Sequence, residues 1–581
     1  MSIVKLSKVT FIGLAADRES LLTDLQKMGC LQIIPLATES MATTEAKSTV
    51  GAREALQFLK TYPYRRRQET NEQRFDPLAI EQKVLTVRDT LHKLEDERDF
   101  LIKRLQDMQP WGDFVLPSLA EMGNYRLWFY VVAHHDLPKI TEFTATWEIV
   151  RSDQRFCYVV VVSEDEPTDI TVPRIHLGDK PREQLAARLD DVYLAIEDTE
   201  AERATLTRWY ELFSRNITRL EDRAACLKAA SQAYNQELAF AIQGWAATEV
   251  VSTLNDYAEN HSLYFDAQDA TLEDHPPTFM RNHSWLAAGE DLVTFYMTPG
   301  YQTWDPSSVT FVSFVIFFAM ILADAGYAAV LSLGLFMGWK KLGRSASGLR
   351  MRPLLLSIAS ASVLFGILMG SYFGVTPSSD SWLGKLHIID MTNTNRMMAL
   401  SVAIGVFHIV LANVMNASCY PHWQQRLPSI GWISIIIGAS ALALSLVTVG
   451  TVLMVIGALL ILVFSAPNEK PLARCLQGLL GLTRLSGAMG DILSYLRLFA
   501  LGLGSASLSI EFNRMAVGVY EGSPVGLVLA ILILLLGHSV NLILGVASGV
   551  IHGLRLNVIE FFNWGLAEEG TLYKPFKQIG D

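Results

Sequence analysis

The sequence predicts a mainly α-helical protein: N-terminal cytoplasmic α/β lobes joined by an antiparallel coiled-coil hairpin, then a C-terminal eight-helix membrane domain with two long, tilted final helices. Three observations predict it. Charge is divided unevenly: 48 acidic and 32 basic residues precede residue 308, a balance of −16, whereas 11 acidic and 16 basic residues follow, a balance of +5. Apolar runs of membrane-spanning length fill the second part. Apolar heptad seams run through the first. The transition opens at Asp305-Pro306, which gives domains 1–307 and 308–581.

The segment from Met1 to Lys8 has no apolar signal core, so the first part is expected to stay in the cytoplasm. Its acidic balance argues against nucleic acid or an anionic lipid surface as its partner. Cys30, Cys157, Cys226, Cys419 and Cys475 are odd in number and scattered. That spacing suits a reducing compartment and argues against a disulfide framework or a cysteine-based zinc site.

Taken in order, residues 9–13 read as a strand, 18–28 as an amphipathic helix and 31–35 as a second strand. The pattern returns with a strand at 125–132, a short helix at 137–143 and a very apolar strand at 156–162. Two small β-α-β modules therefore bracket something. What they bracket is a helix at about 79–109 with a seam of Val84, Val87, Leu91, Leu94, Leu101, Leu105 and Met108, Arg98 being the exception. A second seam at about 181–230 runs from Leu185, Leu189, Val192 and Ile196 through Leu206, Tyr210, Phe213, Ile217, Leu220, Ala224 and Leu227, broken by Thr199 and Arg203. Two such helices read as a rigid antiparallel strut; two ordinary amphipathic helices are the alternative. This part has no phosphate-binding loop, no dinucleotide fingerprint and no His-Glu-x-x-His. His134 and His135 are strand neighbours facing opposite ways, which disfavours a shared metal. No catalytic residue, cofactor or metal site is expected, so this part bears load or docks partners.

Apolar runs then follow at about 308–324, 327–338, 354–374, 397–417, 429–448, 451–466, 487–514 and 524–562. The first two form either one long helix or two short ones broken at Ala323-Asp324-Ala325-Gly326-Tyr327. The basic loop after them, with Lys340, Lys341, Arg344, Arg350 and Arg352, favours two passes, because that places it inside. The same count puts Lys470, Arg474 and Arg484 inside, residues 378–395 outside, and the C-terminus with Lys574 and Lys577 in the cytoplasm. The last two runs, about 28 and 39 residues, exceed the roughly 20 needed to span a bilayer, so strong tilt or extension is expected.

Both of those runs carry an arginine. Arg497 lies in the stretch Leu493-Ser494-Tyr495-Leu496-Arg497-Leu498-Phe499 and stays charged at any accessible pH. Placing it mid-bilayer costs roughly 2.5–3.5 kcal/mol on insertion scales and about 10–17 in lone-helix simulations. Such a group faces a carboxylate, a water-filled cavity or both. At about 100° per residue Gly490, Ser494, Gly504, Ser505, Leu508 and Glu511 share its face. A structural arginine snorkelling to an interface is the plainer reading, and Arg555 on the next run weakens it. There His538, Asn541, Gly545, Ser548, His552, Arg555 and Asn563 recur at spacings of 3, 4, 3, 4, 3 and 8. That keeps polar groups on one side for about 37 Å, as the wall of a hydrated half-channel would.

Ser494-Tyr495-Leu496-Arg497-Leu498 resembles the arginine motif of the membrane stator subunit of V- and A-type rotary ATPases, subunit a or subunit I. His552-Gly553-Leu554-Arg555-Leu556 with Val558-Ile559-Glu560-Phe561-Phe562 is similar to that family's second signature. The stretch from Phe317 to Tyr327 is similar to its first membrane hairpin, and Pro276-Pro277-Thr278, Arg281-Asn282 and Gly244-Trp245 match its soluble landmarks. The resemblance covers nearly the whole chain.

It implies a subunit that is not catalytic alone and needs no cofactor. A V1/A1 catalytic head would hydrolyse ATP and turn a proteolipid c/K ring past this chain in the lipid bilayer. Arg497 would face the essential carboxylate of each ring protomer and force release of its H+ or Na+. Arg555 would be the family's second arginine, and Glu560 a carboxylate near a channel mouth. Asp491, Glu511 and His552 would be candidates for ion relay. The soluble part would dock peripheral-stalk E/G subunits, with a central-stalk d/C-type subunit in the same complex. Ser505 stands where eukaryotic relatives carry a histidine, and Gly545 where they carry an acidic residue, so their proton relay does not carry over. A bacterial or archaeal plasma-membrane form fits better.

Two other readings stay open: a self-contained ion channel or secondary transporter, and a non-transporting membrane scaffold. The first calls for related halves, and no internal repeat is visible; the second leaves two intramembrane arginines without purpose. The stator reading fails if Arg497 points at hydrocarbon, or is clamped by a carboxylate of its own chain far from any rotor surface.

Overall fold

The structure, a computed structural model, describes residues 2–36, 45–112, 119–134, 146–167, 172, 174–177, 180–236, 238–378, 380–389, 393–466, 469–520, 522, 524–566 and 568–578. The expected helix at 137–143 and His135 lie outside the described residues. The chain is mainly helical and forms two compact units, one of Ala16–Gly29, Pro35–Tyr234 and Lys577–Asp581, the other of Met1–Ala15, Cys30–Ile34 and Asn235–Phe576.

In the first unit, helix α1 (Arg18–Met28) stops at Gly29, whose positive φ closes its last turn. Helices α2 (Glu45–Lys60), α3 (Pro77–Met108), α4 (Arg182–Leu206) and α5 (Tyr210–Gln232) follow. Asp76 caps α3 by accepting from Leu78 and Ala79, with Pro77 at the first helical position. Val84, Val87 and Leu91 of the seam are buried, and Arg98 turns outward to Asp99. Glu97 pairs with Arg188 and Lys83 with Glu202, so α3 and α4 run antiparallel. The seam breaks at Arg203 for a reason sequence could not show. Its guanidinium lies 3.9 Å from the Phe58 ring centre and donates to Phe58 O and Thr61 Oγ1, closing the end of α2.

The same unit holds a four-stranded sheet in the order β4 (Thr146–Ser152), β5 (Phe156–Ser163), β3 (Arg126–Ala133), β6 (Arg174–Ile175). Strand alternation sends Phe129 toward Trp111, Leu185 and Val192, and Trp128, Tyr130 and Val132 to the opposite face. His134 is engaged by the Asp153 carbonyl at 2.7 Å.

The second unit corrects the first β-α-β module. β1 (Leu6–Leu14) and β2 (Leu31–Ile34) are not neighbours. β7 (Ala239–Ala247) lies between them, in the antiparallel order β2-β7-β1-β8, with β8 at Tyr264–Asp269. Gly244 sits where β7 presses on β2: a Cβ there would fall 2.7 Å from the Gln32 carbonyl oxygen. The C-terminal segment returns to this sheet, with Tyr573 donating to the Cys30 carbonyl at 2.8 Å and Phe576 N to that of Leu31 at 2.7 Å.

Among the described residues of this unit, six helical spans are long and apolar enough to cross a membrane: Ala346–Met369, Thr394–Cys419, Trp423–Ala443, Val447–Phe464, Pro471–Tyr520 and Pro524–Gly565. A shorter apolar helix, α6 (Ser307–Leu322), precedes them, followed by α7 (Ala325–Leu342). The break between α6 and α7 falls at Ala323, with positive φ, and Asp324. Asp324 caps α7 through Gly326 N and Tyr327 N, and accepts three more bonds from Ser371 Oγ, Phe373 N and Gly374 N. Five donors allow that carboxylate to be 3% exposed with no cation paired to it among the described residues. Helices α8 (Thr394–Cys419), α9 (Leu485–Leu493) and α10 (Leu496–Tyr520) pack around Ile409, Ile492, Tyr495 and Leu498, and α11 (Pro524–Arg555) closes against α10 and α6.

Candidate functional site

Arg497 is the second residue of α10. The helical segment expected as one piece is interrupted just before it, where Arg497 N bonds the Ser494 carbonyl and Leu498 N that of Tyr495. These tighter i→i+3 bonds turn the chain. They set the guanidinium at the head of α10, with its side chain 23% exposed.

Opposite it lies Glu560. Its side chain is 3% exposed, and its Oε1 stands 4.0 Å from Arg497 Nη1. Nothing closer joins them: neither Nη1 of Arg497 nor Oε2 of Glu560 has a hydrogen-bond partner among the described residues. At an effective dielectric of 20, charges about 4 Å apart attract by roughly 4 kcal/mol. Desolvation of the buried carboxylate opposes that attraction, and the directional bonds of a clamped pair are absent.

The position of Glu560 depends on a backbone device. α11 ends at Arg555, and Leu556–Phe561 form a π-helical turn. In a continuing α-helix, residue 560 would lie about 140° round the axis from residue 555. Bonding five residues apart, as Phe562 N does with the Asn557 carbonyl, brings it back toward the face of Arg555. Asn557, fully buried, fixes this turn by donating to the Gly553 carbonyl and accepting from Ser313 of α6. The charges of Arg497 and Arg555 both reach Glu560 and His552. Arg555 is exposed and makes no ion pair among the described residues. Ser494 donates to the Gly490 carbonyl and also lies against Glu560.

A second cluster lies eleven residues earlier on α11, about 16 Å away along the axis. Asn541, 1% exposed, donates to the Ser505 carbonyl and to Tyr327 Oη, and accepts from Ser505 Oγ at 3.3 Å. Tyr327 Oη shares a 2.7 Å bond with His538 Nδ1, whose Nε2 meets Asn513 Oδ1 at 3.1 Å. Asn513 in turn donates to the Phe373 carbonyl. Between the clusters, Ser548 is half-buried and Gly545 lets α11 approach Leu322.

The structure thus brings Arg497, Glu560, Ser494, His552 and Arg555 together, and Ser505, Asn541 and His538 together. Asp491 stands apart, accepting from Trp564 Nε1 at 2.7 Å, and Glu511 is exposed and paired with Arg514. Sequence reasoning missed Tyr327, Asn513 and Asn557 as members of these networks. Each takes a hydrogen-bond partner far from it in sequence. Behind the π-turn opens a cavity of about 1110 Å³ walled by Asn413, Asn416, Gln477, Arg484, Asn563 and Trp564. The described residues hold no group of three or more His, Cys, Asp or Glu that could bind a metal ion.

No protein-family model matches the chain. It is 25% identical to the V-type ATP synthase subunit I of Chlamydia pneumoniae, over 86% of each chain. It is also 25% identical to that of Borreliella burgdorferi, over 86% of this chain and 87% of the relative. To the A-type ATP synthase subunit I of Methanocaldococcus jannaschii it is 28% identical, over 60% and 57% respectively. A solved cytoplasmic N-terminal domain of subunit I, a homologue of subunit a of V-ATPase, aligns with 45% of this chain and 99% of its own at 16% identity; its TM-score of 0.24 is too low to carry a fold assignment. By its sequence likenesses, this integral membrane chain is a relative of the subunit I proteins of V- and A-type ATP synthases.

Proposed function

We propose that the chain is the membrane stator of a V/A-type rotary ATPase, forming ion half-channels against a turning proteolipid ring. It is not catalytic by itself. ATP hydrolysis in a separate head would drive the ring, and each passing ring carboxylate would meet Arg497. The observation that carries this reading is the unclamped Arg497–Glu560 pair, at the head of a membrane-depth helix. A fixed guanidinium stabilises the ionised form of any carboxylate brought beside it, so the carboxylate sheds its H+ or Na+. Glu560 already draws on the same positive charge. A ring carboxylate would then be held strongly enough to unload and weakly enough to move on.

The two polar clusters support offset access paths. Tyr327, His538, Asn541 and Ser505 would serve one side, and the cavity behind the π-turn, with His552 and Arg555, the other. Arg497 between them would bar a direct leak by repelling cations. Exposed apolar side chains on α11, among them Leu535, Leu536, Val540, Ile543 and Leu544, give a ring or lipid a surface to cover.

The domain division at residue 307 and eight passes, counting α6 and α7, complete the proposal. They leave both termini in the cytoplasm of a prokaryotic cell. The antiparallel α3–α4 pair would act as a coiled-coil strut that docks E/G peripheral stalks, with the d/C-type subunit and the V1/A1 head completing the complex.

Reconstitution distinguishes this from an autonomous channel or transporter. The chain alone in sealed vesicles is expected to move neither H+ nor Na+, and ion flux without a ring would overturn the stator reading.

A further inference from the structure

His408 lies on α8, outside every segment that carries the two arginines, and is 3% exposed. Its ring stacks on Phe561 at 4.2 Å between centroids with 9° between planes, and Phe561 is the residue after Glu560. Its Nδ1 shares a 2.7 Å hydrogen bond with the hydroxyl of Tyr495, two residues before Arg497. Phe317 closes the cluster edge-on to both rings, at 5.2 Å from His408 and 5.8 Å from Tyr495. One turn earlier on α8, Gly405 makes room for this arrangement. A Cβ there would fall 2.8 Å from the Tyr495 ring and 3.1 Å from the Ile492 carbonyl oxygen.

Both segments joined by His408 are irregular. Tyr495 occupies the tight turn between α9 and α10, and Phe561 ends the π-turn. Neither has a regular helix to hold its register, so the side-chain directions of residues 497 and 560 depend on what their neighbours touch. Tyr495 is fully buried, as is Phe561, and one imidazole grips both, by a directional bond on one side and a flat stack on the other. The Arg497–Glu560 gap has no hydrogen bond of its own to set it.

We propose that His408 is a positioning residue that sets the distance between Arg497 and Glu560, keeping the pair close enough to attract and too far apart to lock. This inference rests on the stator reading, in which that gap governs how strongly a passing carboxylate is held. Losing the Tyr495 bond lets the first turn of α10 tilt, and the pair either closes or parts.

The test is ATP-driven ion transport in vesicles carrying the assembled complex, with His408→Phe, which keeps the stack and removes the hydrogen-bond partner of Tyr495. Transport is expected to fall about tenfold with assembly retained. In a Glu560→Gln background, where there is no ion pair to set, the same substitution is expected to cost less than twofold. Wild-type transport by His408→Phe, or an equal loss in both backgrounds, would overturn the inference, since a merely structural role does not depend on Glu560. If the single variant fails to assemble, His408→Phe with Tyr495→Phe leaves neither partner's polar atom stranded and carries the same two comparisons. Arg497→Ala is assayed alongside. Normal transport there sinks the stator reading itself, whereas its loss beside a normal His408→Phe sinks only this inference.

Discussion

Arg497 and Glu560 stand 4.0 Å apart with no hydrogen bond between them, one at the head of a helix and the other in a π-turn. On the proposed reading, a carboxylate that shares the charge of the guanidinium without clamping it would compete with any carboxylate arriving from outside the chain.

Removing that carboxylate is expected, on the proposed stator reading, to tighten the hold of Arg497 on a ring carboxylate. Glu560→Gln should assemble normally and slow ATP-driven ion transport about tenfold, as read by dye quenching or sodium uptake in vesicles. Transport at the wild-type rate would show that Glu560 does not share in the exchange.

Tyr327 is the hub of the other cluster, bonded to both His538 and Asn541. Tyr327→Phe removes the shared hydroxyl and leaves the buried Asn541 and the half-buried His538 each short of a partner, at about 1–3 kcal/mol for the buried one. Transport is expected to drop at least fivefold with the complex intact. A variant that transports normally would place the ion path elsewhere.

Asp324 collects five hydrogen bonds where α6 breaks into α7. Asp324→Ala takes the acceptor from all five donors, and each buried donor left without a partner costs about 1–3 kcal/mol. Thermal unfolding of the purified protein in detergent should show a clear fall in midpoint, with Asp324→Asn intermediate. Equal midpoints for wild type and Asp324→Ala would contradict the role of this latch.

Outside the membrane, Thr271 and then Lys8 hold the Asp274 carboxyl down at about 2, against an ordinary value of 3.8. A depressed carboxyl contributes stability above its unfolded pKa and loses it as pH falls through the folded one. Its contribution should therefore be complete above about pH 4 and fade toward pH 2. A carboxyl-carbon NMR titration should find Asp274 still ionised at about pH 3, with Lys8→Ala moving the midpoint upward. A midpoint near the ordinary value in the wild type would refute the assignment.

Local pattern revealed much of this in the sequence. The stripe from His538 to Arg555 could be read from spacing alone, because helical periodicity places those residues on one face. So could the soluble helices, from their apolar seams. The π-turn could not, since a 3.6-residue period assumes the very regularity that Leu556–Phe561 abandon. The interruption before Arg497 carries no glycine or proline at Ser494 or Tyr495 to announce it. β7 was missed for another reason: its partners lie more than 200 residues away, so its place between β1 and β2 is a tertiary fact. The same holds for Tyr327, Asn513 and His408, whose polar partners are brought to them only by the fold.

The role of Arg497 can be measured in inverted membrane vesicles bearing the assembled complex. With Arg497→Ala, ATP-driven uptake of both H+ and Na+ is expected to fall to background while the subunits still co-purify. Uptake at the wild-type rate by that variant would show that this guanidinium does not unload the ring.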